Sequence, residues 1–125
     1  MTVIKWNRLR LSKDVKYRLR NLKGKTGLTP NLICRIGFCL SLREPRVPNP
    51  QEYDEDGPEL NRTTLLGDWD DFYEALLRER LVRDGLDLRD DFLPQLRAHM
   101  NRGAGMACDR IRDLSDVLAL VPNPA

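Results

Sequence analysis

The sequence predicts a mainly α protein: one N-terminal β-strand, two helices after it, and a helical C-terminal extension packed on them. Three observations predict it. Lys5-Trp6-Asn7-Arg8-Leu9-Arg10-Leu11 alternates basic or polar with apolar side chains before Ser12, the period-two pattern of a half-buried strand. Beyond Ser12, apolar residues recur at helical spacing through most of the chain, which fits amphipathic helices and not further strands. At 125 residues and 41% hydrophobic content, the chain can bury one core but not two. One domain over 1–125 is expected, divided into a basic strand-helix-helix part (1–44), a connecting loop (45–62) and an acidic helical part (63–121).

The strand runs from about Val3 to Leu11, with Trp6, Arg8 and Arg10 on the outward face and Asn7, Leu9 and Leu11 inward. Ser12 caps the first helix, because its hydroxyl can accept from a free amide of the first turn. Val15, Leu19 and Leu22 form that helix's apolar stripe, while Lys13, Lys16, Arg18, Arg20 and Lys23 cover the remaining surface. Gly24 and Gly27 end it within Lys23-Gly24-Lys25-Thr26-Gly27, since glycine takes the left-handed backbone of a helix terminus without penalty. Thr29-Pro30 starts a second helix, proline being tolerated in a first turn. Leu32, Ile33, Ile36, Phe38, Cys39 and Leu40 are too many for one narrow stripe, so this helix is buried on most sides.

Pro45, Pro48, Pro50 and Pro58, with the acids Glu52, Asp54, Glu55 and Asp56, mark the long connection. A third helix is expected from about Asp68 to Arg83, its apolar face made by Trp69, Phe72, Tyr73, Leu76, Leu77 and Leu81. Asp68, Asp70 and Asp71 suit the positive end of its dipole and Arg78, Arg80 and Arg83 the negative end. A fourth helix should run from Asp90 and Asp91 to about Asn101 and close at Arg102-Gly103-Ala104-Gly105. A shorter one follows from Cys108 to Leu120, and Pro122-Asn123-Pro124 forms a frayed end.

The net charge of +2 conceals a division near the middle. Residues 1–50 hold twelve basic against two acidic side chains, +10, and residues 51–125 hold nine against seventeen, −8. Such segregation builds a field that draws a polyanion to one face. Strand arginines suit phosphates and guanine edges, and the lysines serve as sequence-blind point charges. Arg8, Arg10, Lys13, Lys16, Arg20, Lys23 and Lys25 are therefore the candidate duplex DNA contacts, Lys23 and Lys25 flanking a glycine that lets a backbone approach closely.

Catalytic chemistry finds little support. Asp68, Asp70 and Asp71, or Asp84, Asp87, Asp90 and Asp91, resemble a nuclease metal cluster only superficially, because both groups fall where helices begin. Cys34 has apolar neighbours Leu32, Ile33 and Ile36, which argue for a buried inert thiol and against a sulfur carrier. Cys39 and Cys108 complete an odd set with no CxxC spacing, and His99 is the one histidine. Reduced cysteines, no metal, no cofactor and no catalytic residue are expected. No secretory leader or membrane-spanning run stands out, and a cytoplasmic location with no membrane association is expected.

The strand, first helix, glycine turn and second helix resemble the ribbon-helix-helix DNA-binding module in order and spacing. That resemblance implies two chains pairing their strands, with alternate side chains reading bases in the major groove. It adds Asn31, at the start of the second helix, as a phosphate-binding residue beside free backbone amides. Trp6 is unusual for base readout, and the first helix carries more positive charge than a repressor requires; both shift weight toward backbone binding.

Over its full length the chain resembles the DndE family, the small accessory proteins of bacterial DNA phosphorothioation. The resemblance lies in Asn7 to Lys25, in Thr26-Gly27-Leu28-Thr29-Pro30-Asn31, in Leu60-Asn61-Arg62-Thr63-Thr64-Leu65-Leu66-Gly67 and in Ala98-His99-Met100-Asn101-Arg102-Gly103. It implies a non-catalytic DNA-binding subunit that works with a sulfurtransferase-type subunit and an ATPase to replace a backbone phosphate oxygen by sulfur. It also implies a homo-oligomer, a tetramer favoured over a dimer, and a preference for nicked duplex. The alternatives are a ribbon-helix-helix transcriptional repressor and a protein-interaction scaffold without DNA affinity.

Overall fold

The computed structural model describes residues 4–120. They form a mainly helical fold with a short two-stranded ribbon. Strand β1 (Arg8–Arg10) leads into α1 (Lys13–Thr26) and α2 (Pro30–Arg43); β2 (Glu59–Asn61) then precedes α3 (Arg62–Leu66), α4 (Asp70–Arg83), α5 (Phe92–Arg110) and α6 (Ser115–Leu118).

The first two helices form as their sequence dictates. Ser12 Oγ accepts from the Val15 amide, and α1 ends on Gly27, left-handed at φ 78°, whose amide donates to Lys23 O at 2.8 Å. Val15, Leu19 and Leu22 are buried. Helix α2 follows Thr29 and opens on Pro30, burying Ile33, Cys34, Gly37, Phe38, Leu40 and Ser41.

Helices α2 and α5 form the centre of the molecule. They meet at Gly37 and Gly103, where each glycine lies against the other's backbone carbonyl so closely that neither position has room for a Cβ. The expected closure of the fourth helix at residues 102–105 is therefore corrected: α5 continues to Arg110, with Arg102, Gly103 and Ala104 buried. Here glycine serves helix contact and does not terminate the helix. The expected last helix shrinks accordingly, since Cys108 belongs to α5 and only Ser115–Leu118 is helical afterwards. Val3 and Pro122-Asn123-Pro124 lie outside the described residues.

The connecting loop is ordered by side chains from the acidic half. Its backbone groups bond to one another only in short turns, and carbonyls from Leu42 onward accept from buried or half-buried side chains instead. Arg80 donates to the carbonyls of Leu42, Glu44, Pro45 and Arg46, and Arg102 to those of Ser41 and Arg46. Arg97 holds Pro50 and Tyr53, and Gln95 Nε2 holds Pro48. Bonds of this kind satisfy backbone groups that a loop could not otherwise bury, and the charged donors make the stronger ones. The loop ends in β2, which pairs antiparallel with β1 in the register Arg8↔Asn61, Leu9↔Leu60, Arg10↔Glu59. The strand that a ribbon-helix-helix dimer pairs between chains is thus paired here within one chain.

Two apolar expectations are also corrected. Trp6, expected outward, is 5% exposed: β1 begins only at Arg8, so the alternation does not extend back to it. Its Nε1 donates to Glu74 Oε1 at 2.7 Å, and the Arg62 guanidinium lies 5.5 Å from the ring centroid. Conversely, Trp69 and Phe72 are exposed, and α4 turns Leu77 and Leu81 inward together with Glu74 and Arg80. A large ring with one satisfied N–H buries well; the side chain left outside is the one whose helix face has no partner within the chain.

Candidate nucleic-acid interface

Helix α1 carries the basic surface. At about 100° per residue, the buried Val15, Leu19 and Leu22 define one flank, and Lys13, Lys16, Arg20 and Lys23 fall together on an adjacent one. All four are exposed, and none forms an ion pair among the described residues. Lys13 to Lys23 extends about 15 Å along the helix. Asp54 accepts the amides of Asp56 and Lys13, which together with the Lys13 charge holds its carboxyl below the usual range, and Asp109 pairs with Arg18.

Lys25 stands apart from this stripe. It lies on the opposite flank and lines a cleft of about 390 Å³ with Arg18, Asn21, Cys108, Asp109 and Arg112. Asn31 is half-buried in the first turn of α2, after Thr29, whose side chain makes no capping bond. Arg8 and Arg10 are exposed on the ribbon, where Glu59 Oε2 lies 3.9 and 3.4 Å from their guanidinium nitrogens. The expected residues therefore divide into a continuous stripe (Lys13, Lys16, Arg20, Lys23), a ribbon pair (Arg8, Arg10) and two separate positions, Lys25 and Asn31.

The start of α1 is fixed from the acidic half. Ser12 N donates to Asn101 Oδ1 at 2.9 Å, Asn101 Nδ2 donates to Arg97 O at 2.8 Å, and Lys13 N donates to Asp54 Oδ1 at 2.9 Å. Gly57 crosses the backbone of Leu11 and Ser12 without space for a side chain, and its amide donates to Leu11 O. Sequence reasoning missed Asn101 and Asp54. Nothing in the local pattern around Asn101 signals a partner 89 residues away.

Other chemistry-bearing groups are occupied by packing. Among the described residues, Asp70, Asp71 and Glu74 cluster, but Arg62 Nη2 sits 2.9 Å from Asp70 and 2.8 Å from Glu74, where a cation would go. His99 is fully buried, its Nδ1 2.8 Å from Ser41 Oγ, and Arg102 Nε donates to the same hydroxyl at 2.9 Å. The hydroxyl, accepting from arginine, donates to Nδ1. Burial, with the Arg102 and Arg80 charges, pushes the imidazole pKa down to about 3. Cys34 is fully buried and its thiol is pushed up to about 12 by that burial, so it is an inert core thiol. No helix among the described residues is long and apolar enough to cross a membrane.

Comparison with known proteins places the fold. A crystal structure of DndE from Escherichia coli B7A, involved in DNA phosphorothioation modification, is 27% identical, covers 83% of this chain and 98% of its own, and superposes with a TM-score of 0.68. A crystal structure of a glycine-to-lysine DndE mutant involved in DNA phosphorothioation is 25% identical, covers 83% and 99%, and gives 0.65. No curated protein matches. The model of the family described as DNA sulphur modification protein DndE matches residues 8–112, from β1 to just beyond α5. This chain belongs to the DndE family.

Proposed function

We propose that this protein is a non-catalytic DNA-binding subunit of a DNA phosphorothioation system, holding the duplex backbone for the subunits that exchange oxygen for sulfur. The observation that carries the reading is the stripe Lys13, Lys16, Arg20 and Lys23, four exposed cations with no ion-pair partner among the described residues. Like charges aligned on one helix flank repel each other, and a polyanion relieves that repulsion while releasing its counterions. Lysine-rich contacts hold phosphates without reading bases, which suits a subunit serving many sites.

The protein acts as a homo-oligomer, a tetramer by family resemblance. An apolar groove of about 550 Å³ lined by Leu28, Leu32, Ile36, Trp69, Tyr73 and Val117 supports association, because a second copy seated there would cover these side chains. Two or more α1 stripes in one assembly multiply the phosphate contacts and favour a backbone that can bend, as a nicked duplex can. Its partners are duplex DNA and the sulfurtransferase-type and ATPase subunits, and its location is cytoplasmic.

The test is binding of the full chain to intact and nicked duplexes of unrelated sequence, with mass in solution measured in the same buffer. Salt-sensitive binding by an oligomer, tighter on nicked DNA, is the expected result. A monomer that ignores DNA at low salt contradicts the reading.

A further inference from the structure

Helix α1 exposes one side chain that phosphate binding does not use. Tyr17 is 49% exposed and stands beside the cationic stripe, with Lys13 one turn before it and Arg20 one turn after. At about 100° per residue, both fall within about 60° of Tyr17 around the helix axis. The other two tyrosines, Tyr53 and Tyr73, are half-buried, and Tyr73 packs against the rings of Phe38 and Phe72. Tyr17 joins no ring pair among the described residues. On a helix its surface neighbours are the residues three and four away, and Lys13, Asp14, Arg20 and Asn21 are all polar and exposed. The ring therefore belongs to no apolar patch of the kind that a partner protein covers.

Gly24 lies two turns further along the same face, at about 20° from Tyr17. Helix α1 runs through it to Thr26, so Gly24 does not end the helix. Glycine inside a helix destabilises it relative to alanine, and packing does not require it here, since a Cβ at Gly24 would meet nothing within 4 Å. What its missing side chain leaves is a low stretch of helix surface beside the ring, open to close approach from outside.

An aromatic ring set among cations is the arrangement that holds unpaired nucleotides. The ring face accepts any base by stacking, while the cations hold the phosphates on either side. A base inside a duplex is already stacked on its neighbours and turns only its edges outward, so a ring on a duplex-binding surface gains little. We propose that Tyr17 is a stacking platform for an unpaired base, with Lys13 and Arg20 on the flanking phosphates and Gly24 giving the strand's backbone room to approach. This rests on the DNA-binding reading above and extends the ligand of the α1 surface to single-stranded or locally opened DNA.

The experiment measures fluorescence anisotropy of three labelled ligands with the full-length chain: a single strand, an abasic strand of the same length, and a fully paired duplex of that length. Wild type, Tyr17→Leu, Tyr17→Phe and K16Q/R20Q/K23Q are compared, each checked by circular dichroism. The wild type should bind the strand with bases roughly tenfold more tightly than the abasic one. Tyr17→Leu keeps an apolar side chain without the ring and should lose that advantage; Tyr17→Phe keeps the ring and should retain it. Duplex affinity should stay within about twofold in both, because phosphate contacts carry it. The stripe variant should weaken binding of every ligand. A wild type indifferent to the bases, or a Tyr17→Leu protein that still prefers them, overturns the stacking assignment and leaves backbone binding standing. An equal loss on the duplex in Tyr17→Leu overturns it too, since the ring would then serve paired DNA as well. Failure of the wild type to bind any DNA at low salt removes both readings.

Discussion

Replacing Gly37 by alanine sets two effects of opposite sign against each other. Helix propensity alone favours the change by about 1 kcal/mol, because alanine loses less backbone freedom than glycine. The structure opposes it: a Cβ on Gly37 would stand 2.7 Å from Ala104 N, and closer still to the Gly103 carbonyl. Ordinary contact begins at 3.4 Å, so α2 and α5 must separate by at least about 0.7 Å. Both obstructing groups are helical backbone and cannot rotate aside as a side chain would. Overpacking then costs at the upper end of its usual range, about 3 kcal/mol. The net destabilisation is about 2 kcal/mol, or roughly 8 °C in Tm for a chain of this size. Gly24→Ala is the matched control, since a Cβ there meets nothing within 4 Å; it should raise Tm by a few degrees, about 0.5–1 kcal/mol. Thermal and denaturant melts of both variants decide the matter. A Gly37→Ala protein as stable as the wild type, or more so, refutes the argument that the glycine pair sets the α2–α5 approach.

Three further outcomes are expected. Iodoacetamide on the native protein at pH 8 should leave Cys34 unmodified and add at most to Cys39 and Cys108, with all three alkylated in denaturant; mass spectrometry reads the count, and a native Cys34 adduct contradicts its burial. His99 should make stability fall as pH drops: the unfolded imidazole takes up a proton below about 6.5 whereas the native one resists to about 3, so stability is complete above 6.5 and is lost toward 3. The slope approaches about 1.4 kcal/mol per pH unit, and His99→Gln should flatten it between pH 6.5 and 5 in denaturant titrations. Trp6, at 5% exposure, should stay protected from acrylamide in the native protein and keep its protected signal in Trp69→Phe, whereas Trp69, 67% exposed in the single chain, should be shielded in the oligomer and quenched once it dissociates.

The N-terminal third was readable because its signals are local. Ser12, Gly27 and Thr29-Pro30 fix helix ends within a few residues of themselves, and Val15, Leu19 and Leu22 are buried as their spacing requires. Where a residue's role depends on a distant segment, local pattern failed. Gly103 reads as a helix terminator until Gly37 is placed opposite it. Arg80 reads as a charge at a helix end and Arg102 as part of a helix closure, yet both are buried because the connecting loop needs donors for its carbonyls. The strand β2 was hidden in a proline-rich acidic stretch, since three residues give too short an alternation to register. The candidate site shows the same division: Lys13, Lys16, Arg20 and Lys23 follow from helical spacing, whereas Asn61 and Glu59 join Arg8 and Arg10 only through strand pairing.

The most direct test of the account is the salt dependence of duplex binding by the wild type and by a variant with Lys16, Arg20 and Lys23 changed to glutamine. The wild type should lose affinity steeply as salt rises, and the variant's log–log slope should be shallower by about 0.9 for each phosphate contact removed, up to about 2.7 in all. An unchanged slope in a variant with native circular dichroism would show that the α1 stripe does not meet the DNA backbone.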